Sequence, residues 1–185
     1  ILLHGAEAHF ATPMEARGAG IETIYQDLAL CENLGAAGNI FLGREKQHLR
    51  YGFLPELDED WMRQEAQRVL DDLDVHLGDL DRPVRQLSGG QRQRVAIARA
   101  VYWRARLMIM DEPTAALGVP EQRKVLDLVR TLKGRGVPVL IISHNMADVF
   151  AVADRLLILR RGRKVGDLAV GDTNHNAVVA LMIGG

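Results

Sequence analysis

Lysine is scarce in these 185 residues: there are four, Lys46, Lys124, Lys133 and Lys164. Cysteine is scarcer, with Cys31 alone, so no internal disulfide can form and a reducing, cytoplasmic setting is expected. Neither sign of charge is in excess. Lys plus Arg number 23 against 24 Asp plus Glu, a formal net charge of −1, whereas a general nucleic-acid binder carries a basic surplus. The apolar runs Val137 to Ile142 and Ala177 to Ile183 fall far short of the roughly 20 residues that a bilayer crossing requires. No charged-then-apolar leader opens the sequence. What remains is a chain with 48% hydrophobic and 25% charged residues, which excludes disorder and fits one globular domain or a large piece of one. It opens on Ile1-Leu2-Leu3, inside an apolar stretch, and therefore reads as an N-terminally truncated fragment.

Charge is partitioned along the sequence. Between Glu56 and Asp81 there are ten acids and two bases, Arg63 and Arg68; between Arg85 and Arg106 there are six arginines and no acid. Such blocks are ordinarily solvated faces, but the switch falls at Gly89-Gly90 and suggests a boundary between subregions. In the acidic block, Met62, Ala66, Val69, Leu70 and Leu73 recur at helical spacing behind Asp58, a fitting N-cap. A second helix is predicted from about Gln91 to Tyr102, with Val95, Ala98 and Tyr102 on one face. Leu107 to Met110 is apolar on both alternating faces and ends in Asp111-Glu112-Pro113, the pattern of a strand covered on both sides. Pro120, then Val125, Leu128, Val129 and Leu132, then Gly134 and Gly136 delimit a third helix, and Val137 to Ile142 repeats the strand pattern. Strand, helix, strand in this order makes the two strands parallel neighbours. Arg155 to Leu159 and Arg163 to Val165 around Arg161-Gly162 predict a hairpin. The fold class is α/β, a parallel sheet flanked by helices, with a helical subdomain over about 45–85 and the remainder forming the sheet core.

In open parallel sheets ligands sit beyond the carboxyl ends of the strands, where Asp111 and Glu112 end one strand and Ser143-His144 the next. Taken singly, Asp111 reads as a loop cap and His144 as the cap of the following helix. Together they form a constellation, and two adjacent acids after a buried strand suit Mg²⁺ and base chemistry in phosphoryl transfer. Leu87-Ser88-Gly89-Gly90-Gln91 has the same two readings. Ser88 with Gln91 is a capping box, yet free N–H groups approached over glycine at a helix start also bind phosphate, and structure alone is not expected to demand two consecutive glycines.

LSGGQRQRVAIARA over Leu87–Ala100 resembles the signature motif of ATP-binding cassette (ABC) ATPases, and LMIMDEPTAAL over Leu107–Leu117 resembles their Walker B motif. Ile142-Ser143-His144 is similar to the switch-histidine loop, and Tyr25-Gln26-Asp27 to the glutamine loop. The four follow in the family's order between Ile21 and Gly166. The resemblance implies an ABC-type P-loop NTPase core in which Asp111 and Gln26 serve Mg²⁺, Glu112 polarises the attacking water and His144 contacts the γ-phosphate of ATP. Ser88, Gly89, Gly90 and Gln91 would meet ATP held by a second ABC subunit in a head-to-tail dimer. Implied partners are transmembrane permease subunits and, indirectly, a periplasmic sugar-binding protein, with the chain peripheral on the cytoplasmic face of the inner membrane and no nucleic acid involved. Tyr25 to Glu45 and Ala115-Ala116-Leu117-Gly118, with glycine where most cassettes carry aspartate, resemble bacterial ribose- and fructose-type importers. The apolar content of Cys31–Leu42, including Leu34, Ile40, Phe41 and Leu42, fits packing on the helical subdomain or, as the resemblance implies, reception of a permease helix.

The Walker A loop, Gly-x-x-x-x-Gly-Lys-Ser/Thr, is missing: none of the four lysines follows a glycine or precedes Ser or Thr. The expected activity is therefore that of a parent ATPase coupled to monosaccharide uptake, with this chain alone inactive. Two alternatives stay open. A non-transport ABC protein would carry a long coiled-coil or basic insertion between Gln26 and Leu87, where the sequence here is short and acidic. A non-catalytic module would lend its signature motif to a partner's ATP site.

Overall fold

The computed structural model describes every residue except His4, Tyr51, Gly52, Ala116 and Gly185. The chain forms two compact units, 1–142 and 143–185. The charge switch at Gly89-Gly90 thus marks entry into a helix rather than a break between these units.

The first unit begins with the two-residue strands β1 (Leu2–Leu3) and β2 (Ala6–Glu7), paired antiparallel, and the short helix α1 (Pro13–Gly18), capped by Thr12. Its centre is a three-stranded parallel sheet of β3 (Ile21–Ile24), β6 (Leu107–Asp111) and β7 (Val139–Ile142), with β6 in the middle. In a parallel ladder, paired residues project to the same face, so Glu22, Ile24, Met108 and Met110 share one side, and all four are buried. The opposite face is only partly covered: Leu107 and Ile109 are half-buried, and Leu140 and Ile142 are each 49% exposed. The doubly apolar run thus yields one closed and one half-open face, not two closed ones. Glu22 on the closed face is balanced by Arg44 at 3.5 Å and Arg17 at 3.7 Å.

Between β3 and β6 lie α2 (Ala36–Phe41), an antiparallel pair β4 (Gln47–Arg50) and β5 (Leu54–Leu57), α3 (Glu59–Asp72) and α4 (Gly89–Tyr102). The region read as helical, 45–85, therefore also contains a hairpin. Asp58 caps α3 by accepting the Trp61 N–H, and Met62, Ala66, Val69 and Leu70 form its buried stripe as the spacing predicts. Phe41 gathers Trp61, Tyr102 and Trp103 at centroid distances of 5.5, 4.7 and 6.0 Å, tying α2, α3 and the end of α4 together. Gly35 before α2 is required by close approach: a Cβ there would run into the Leu80 carbonyl, which accepts the Ala36 N–H at 2.8 Å. Helix α5 (Val119–Gly134) then packs Val125, Leu128, Val129 and Leu132 into the core and leads to β7.

The second unit holds α6 (Met146–Val152), the hairpin β8 (Arg155–Arg160) and β9 (Arg163–Ala169), and α7 (His175–Ile183). Leu156, Ile158 and Val178 form its core, with Val149, Phe150, Leu168 and Leu181 packed around them.

Candidate functional site

Because β3 and β6 run parallel with Ile24 opposite Met110, the residues that leave them emerge at one edge of the sheet. There, Tyr25, Gln26, Asp27, Ala29 and Asp111 line one open cavity of about 730 Å³. Two sequence-predicted site residues, Gln26 and Asp111, thus share a cleft. The loop that carries Gln26 is tightly bound: the Leu28 N–H donates to the Tyr25 carbonyl (2.9 Å) and the Ala29 N–H to Asp27 Oδ1 (3.3 Å). Leu28 and Ala29 both adopt left-handed backbone, at φ of 62° and 44°. A left-handed non-glycine residue costs about 1–2 kcal/mol, so the surroundings must hold this turn.

Glu112 also lies in the left-handed region, at φ 47°. Its N–H donates to the Ile142 carbonyl (2.9 Å) and its own carbonyl accepts the Ala115 N–H (3.0 Å), so the chain turns sharply out of β6 at this carboxylate. Thr114 is buried, and Gln122 of α5 donates to the Leu117 carbonyl at 3.1 Å, bracing the loop that follows. Ala116, part of the stretch read as typical of sugar importers, lies outside the described residues.

Ser88, Gly89, Gly90 and Gln91 open α4 and are not among the residues lining the cavity. The capping box is present: Ser88 Oγ accepts the Gln91 N–H (3.2 Å) and Gln91 Oε1 accepts the Ser88 N–H (2.9 Å). This occupies Gln91's carbonyl oxygen, while the N–H groups of Gly89 and Gly90, in the first turn, have no acceptor within the helix. Packing accounts for one glycine of the pair. A Cβ on Gly90 would lie 2.8 Å from Glu121 Cγ and 3.0 Å from its Cβ, so close packing favours glycine there, whereas one on Gly89 would meet a single flexible side-chain end, Leu117 Cδ2 at 3.0 Å. Further along α4, Gln93 Nε2 and Arg94 Nε are buried without a hydrogen-bond partner, and burial lowers the Arg94 pKa against the opposing pull of Glu121.

His144 follows β7 by two residues and belongs to the second unit, where it is exposed. It does not cap α6. That role falls to Asn145, whose Oδ1 accepts the N–H groups of Ala147 (3.1 Å) and Asp148 (3.4 Å), while Ser143 Oγ accepts the Asn145 N–H (3.0 Å).

Sequence reasoning passed over Arg99. From the last turn of α4 it donates to the carbonyls of Ala29 (3.0 Å) and Leu28 (3.4 Å). The available signal was an arginine set among Val95, Ala96, Ala98 and Ala100, all buried, where a charged side chain needs partners.

Asp111 supplies a carboxylate and Gln26 an amide carbonyl, both hard oxygen donors. Mg²⁺ takes one or two carboxylates and completes its shell with water and phosphate oxygens, so these residues fit that ion. Among the described residues no three His, Cys, Asp or Glu side chains come together as a dedicated metal cage.

The family model of the ABC transporter matches residues 1–115. The xylose/arabinose import ATP-binding protein XylG of Sulfolobus acidocaldarius is 44% identical over 98% of this chain and 70% of its own length. The fructose import ATP-binding protein FrcA of Rhizobium meliloti is 46% identical over 100% and 72%. The ribose import ATP-binding protein RbsA 2 of Escherichia coli O157:H7 is 40% identical over 100% of the chain, which spans 35% of that protein. Among solved structures, a dimeric ATP-binding cassette in a post-hydrolysis state with ADP and Pi superposes with a TM-score of 0.71, at 23% identity, over 91% of this chain and 72% of that one. A nucleotide-free cassette gives a TM-score of 0.72 at 23% identity over 94% and 68%, which establishes the shared fold.

Proposed function

This chain belongs to the ABC transporter family, and from that premise we propose that it is the water- and metal-handling part of a cassette that couples ATP hydrolysis to monosaccharide import. The observation that carries the reading is the single cleft lined by Gln26 and Asp111 at the carboxyl edge of β3 and β6. The names of the relatives, sugar import ATP-binding proteins at 39–46% identity, support the substrate class.

Asp111 and Gln26 would hold Mg²⁺, which when bound offsets phosphate charge. Glu112 accepts a hydrogen bond from the attacking water and takes its proton as the water oxygen bonds to the γ-phosphorus and the bond to the β–γ bridging oxygen breaks, with ADP as the leaving group. His144 donates a hydrogen bond to a γ-phosphate oxygen. The Gly89 and Gly90 amides, with Ser88 and Gln91 setting the cap, act on nucleotide held by a second cassette. The 45–85 region serves as the helical subdomain beside the sheet core. A permease docks at what Cys31–Leu42 leaves outside: Ala36, Ala37, Asn39, Ile40 and Phe41 are buried, whereas Glu32, Asn33 and Leu42 are exposed. No helix among the described residues is long and apolar enough to cross a membrane, so attachment through that permease, on the cytoplasmic face and below a periplasmic sugar-binding protein, fits the reading.

The test supplies the missing phosphate-holding loop. With a Gly-x-x-x-x-Gly-Lys-Ser/Thr strand-and-helix segment joined ahead of Ile1, the protein should hydrolyse Mg·ATP. Replacing Glu112 by Gln should then keep ATP binding and slow turnover about 10²-fold or more. Equal turnover in the Glu112→Gln protein would refute the role given to this carboxylate.

A further inference from the structure

We propose that Arg99 is a positioning residue for Gln26: its guanidinium, donating to the Ala29 and Leu28 carbonyls, holds the loop that presents Gln26 to the cavity shared with Asp111. The weight of this for hydrolysis rests on the function proposed above, whereas the clamp is a property of the chain alone.

Three observations lead to it. Leu28 and Ala29 are consecutive left-handed residues and neither is glycine, a conformation that persists only where neighbouring structure imposes it. The bonds local to the turn use its amides, Leu28 N–H to Tyr25 and Ala29 N–H to Asp27, and leave the two carbonyls to be met from elsewhere. Arg99 meets both from 70 and 71 residues away, with the planar fork that can serve two acceptors at once. Burial, and then the Arg17 charge, draw its pKa below the ordinary arginine value, and the buried Glu22 carboxylate opposes them; the guanidinium stays charged. Since Arg99 lies on α4, the helix that Ser88 caps, the fork ties the Gln26 loop to that helix.

Hydrogen exchange on the 185-residue chain tests this, comparing wild type with Arg99→Met and Arg99→Lys. Amides 26–30 should exchange about ten-fold faster or more in Arg99→Met, with β6 and the middle of α4 unchanged, and Arg99→Lys should recover part of the protection. Unchanged exchange at 26–30, or equal acceleration through β6 and α4, would overturn the proposal, the second because it describes plain structural support. Should Arg99→Met fail to fold, guanidinium rotation in the wild-type chain decides by NMR: rotation about ten-fold slower at Arg99 than at the exposed Arg123 is expected, and equal rates would overturn it. Turnover unaffected by Gln26→Ala in the loop-supplemented protein would remove the hydrolytic role and leave the exchange result standing.

Discussion

Asn39 organises a segment that has little conformational preference of its own. Fully buried, it accepts the Cys31 N–H through Oδ1 (2.7 Å) and donates through Nδ2 to the carbonyls of Cys31 (3.0 Å), Gly35 (3.0 Å) and Leu34 (3.2 Å). A net hydrogen bond contributes about 1 kcal/mol, and a buried group left without its partner costs more. Asn39→Ala should therefore lower stability by about 2–4 kcal/mol in urea denaturation; a loss below about 1 kcal/mol would mean that water replaces the amide. Asp167 illustrates a different kind of control. The Arg155 guanidinium, bonded at 2.7 and 2.9 Å, and then Lys164 hold its carboxyl below the ordinary 3.8. A depressed carboxyl stabilises the fold above the unfolded value and loses that contribution as pH falls through the folded one. Amide protection in the β8–β9 hairpin should stay level above that range and drop only in stronger acid. In Arg155→Gln the Asp167 carboxyl carbon should titrate closer to 3.8 by NMR, and an unmoved midpoint would contradict the assignment.

Among the elements, α4 and α5 meet where glycine leaves no room. Alanine at position 90 would gain about 1 kcal/mol in helix propensity but would press on Glu121 at 2.8 and 3.0 Å. Gly90→Ala should thus be destabilising by about 1 kcal/mol in thermal or urea unfolding; a stabilised protein would show that the first turn of α5 yields. The long elements were legible because their periods are clean: the α3 stripe from Met62 to Leu70, the Ser88–Gln91 cap, the Pro120 start of α5 and the parallel pairing of Leu107–Asp111 with Val139–Ile142. The β4–β5 hairpin was not. Pro55 stands in one strand opposite Leu49, and charged side chains interrupt the alternation, so neither strand carries the ordinary signal. Helix α2, six residues long, is too short to establish a period and is fixed by Gly35, Asn39 and the Phe41 ring cluster.

At the scale of the whole molecule, the parallel sheet turns distant sequence into a site. Gln26 and Asp111 were each legible from motif, but their common cleft follows only from β3 lying beside β6. That Arg99 needs partners was legible from its apolar neighbours, but which carbonyls it meets, and the left-handed turns at Leu28, Ala29 and Glu112, were not, because they arise from tertiary packing. In the function proposed above, these residues handle metal and water, and the groups that capture a triphosphate are not among them. Among the described residues that line the cavity, Asp27 and Asp111 are the charged ones and both are acids, an arrangement that disfavours an anionic nucleotide. The most direct test is a calorimetric titration of Mg·ATP into the 185-residue chain, with phosphate release followed in parallel. No saturable binding below about millimolar concentration and no turnover are predicted; micromolar binding or measurable hydrolysis would contradict the claim.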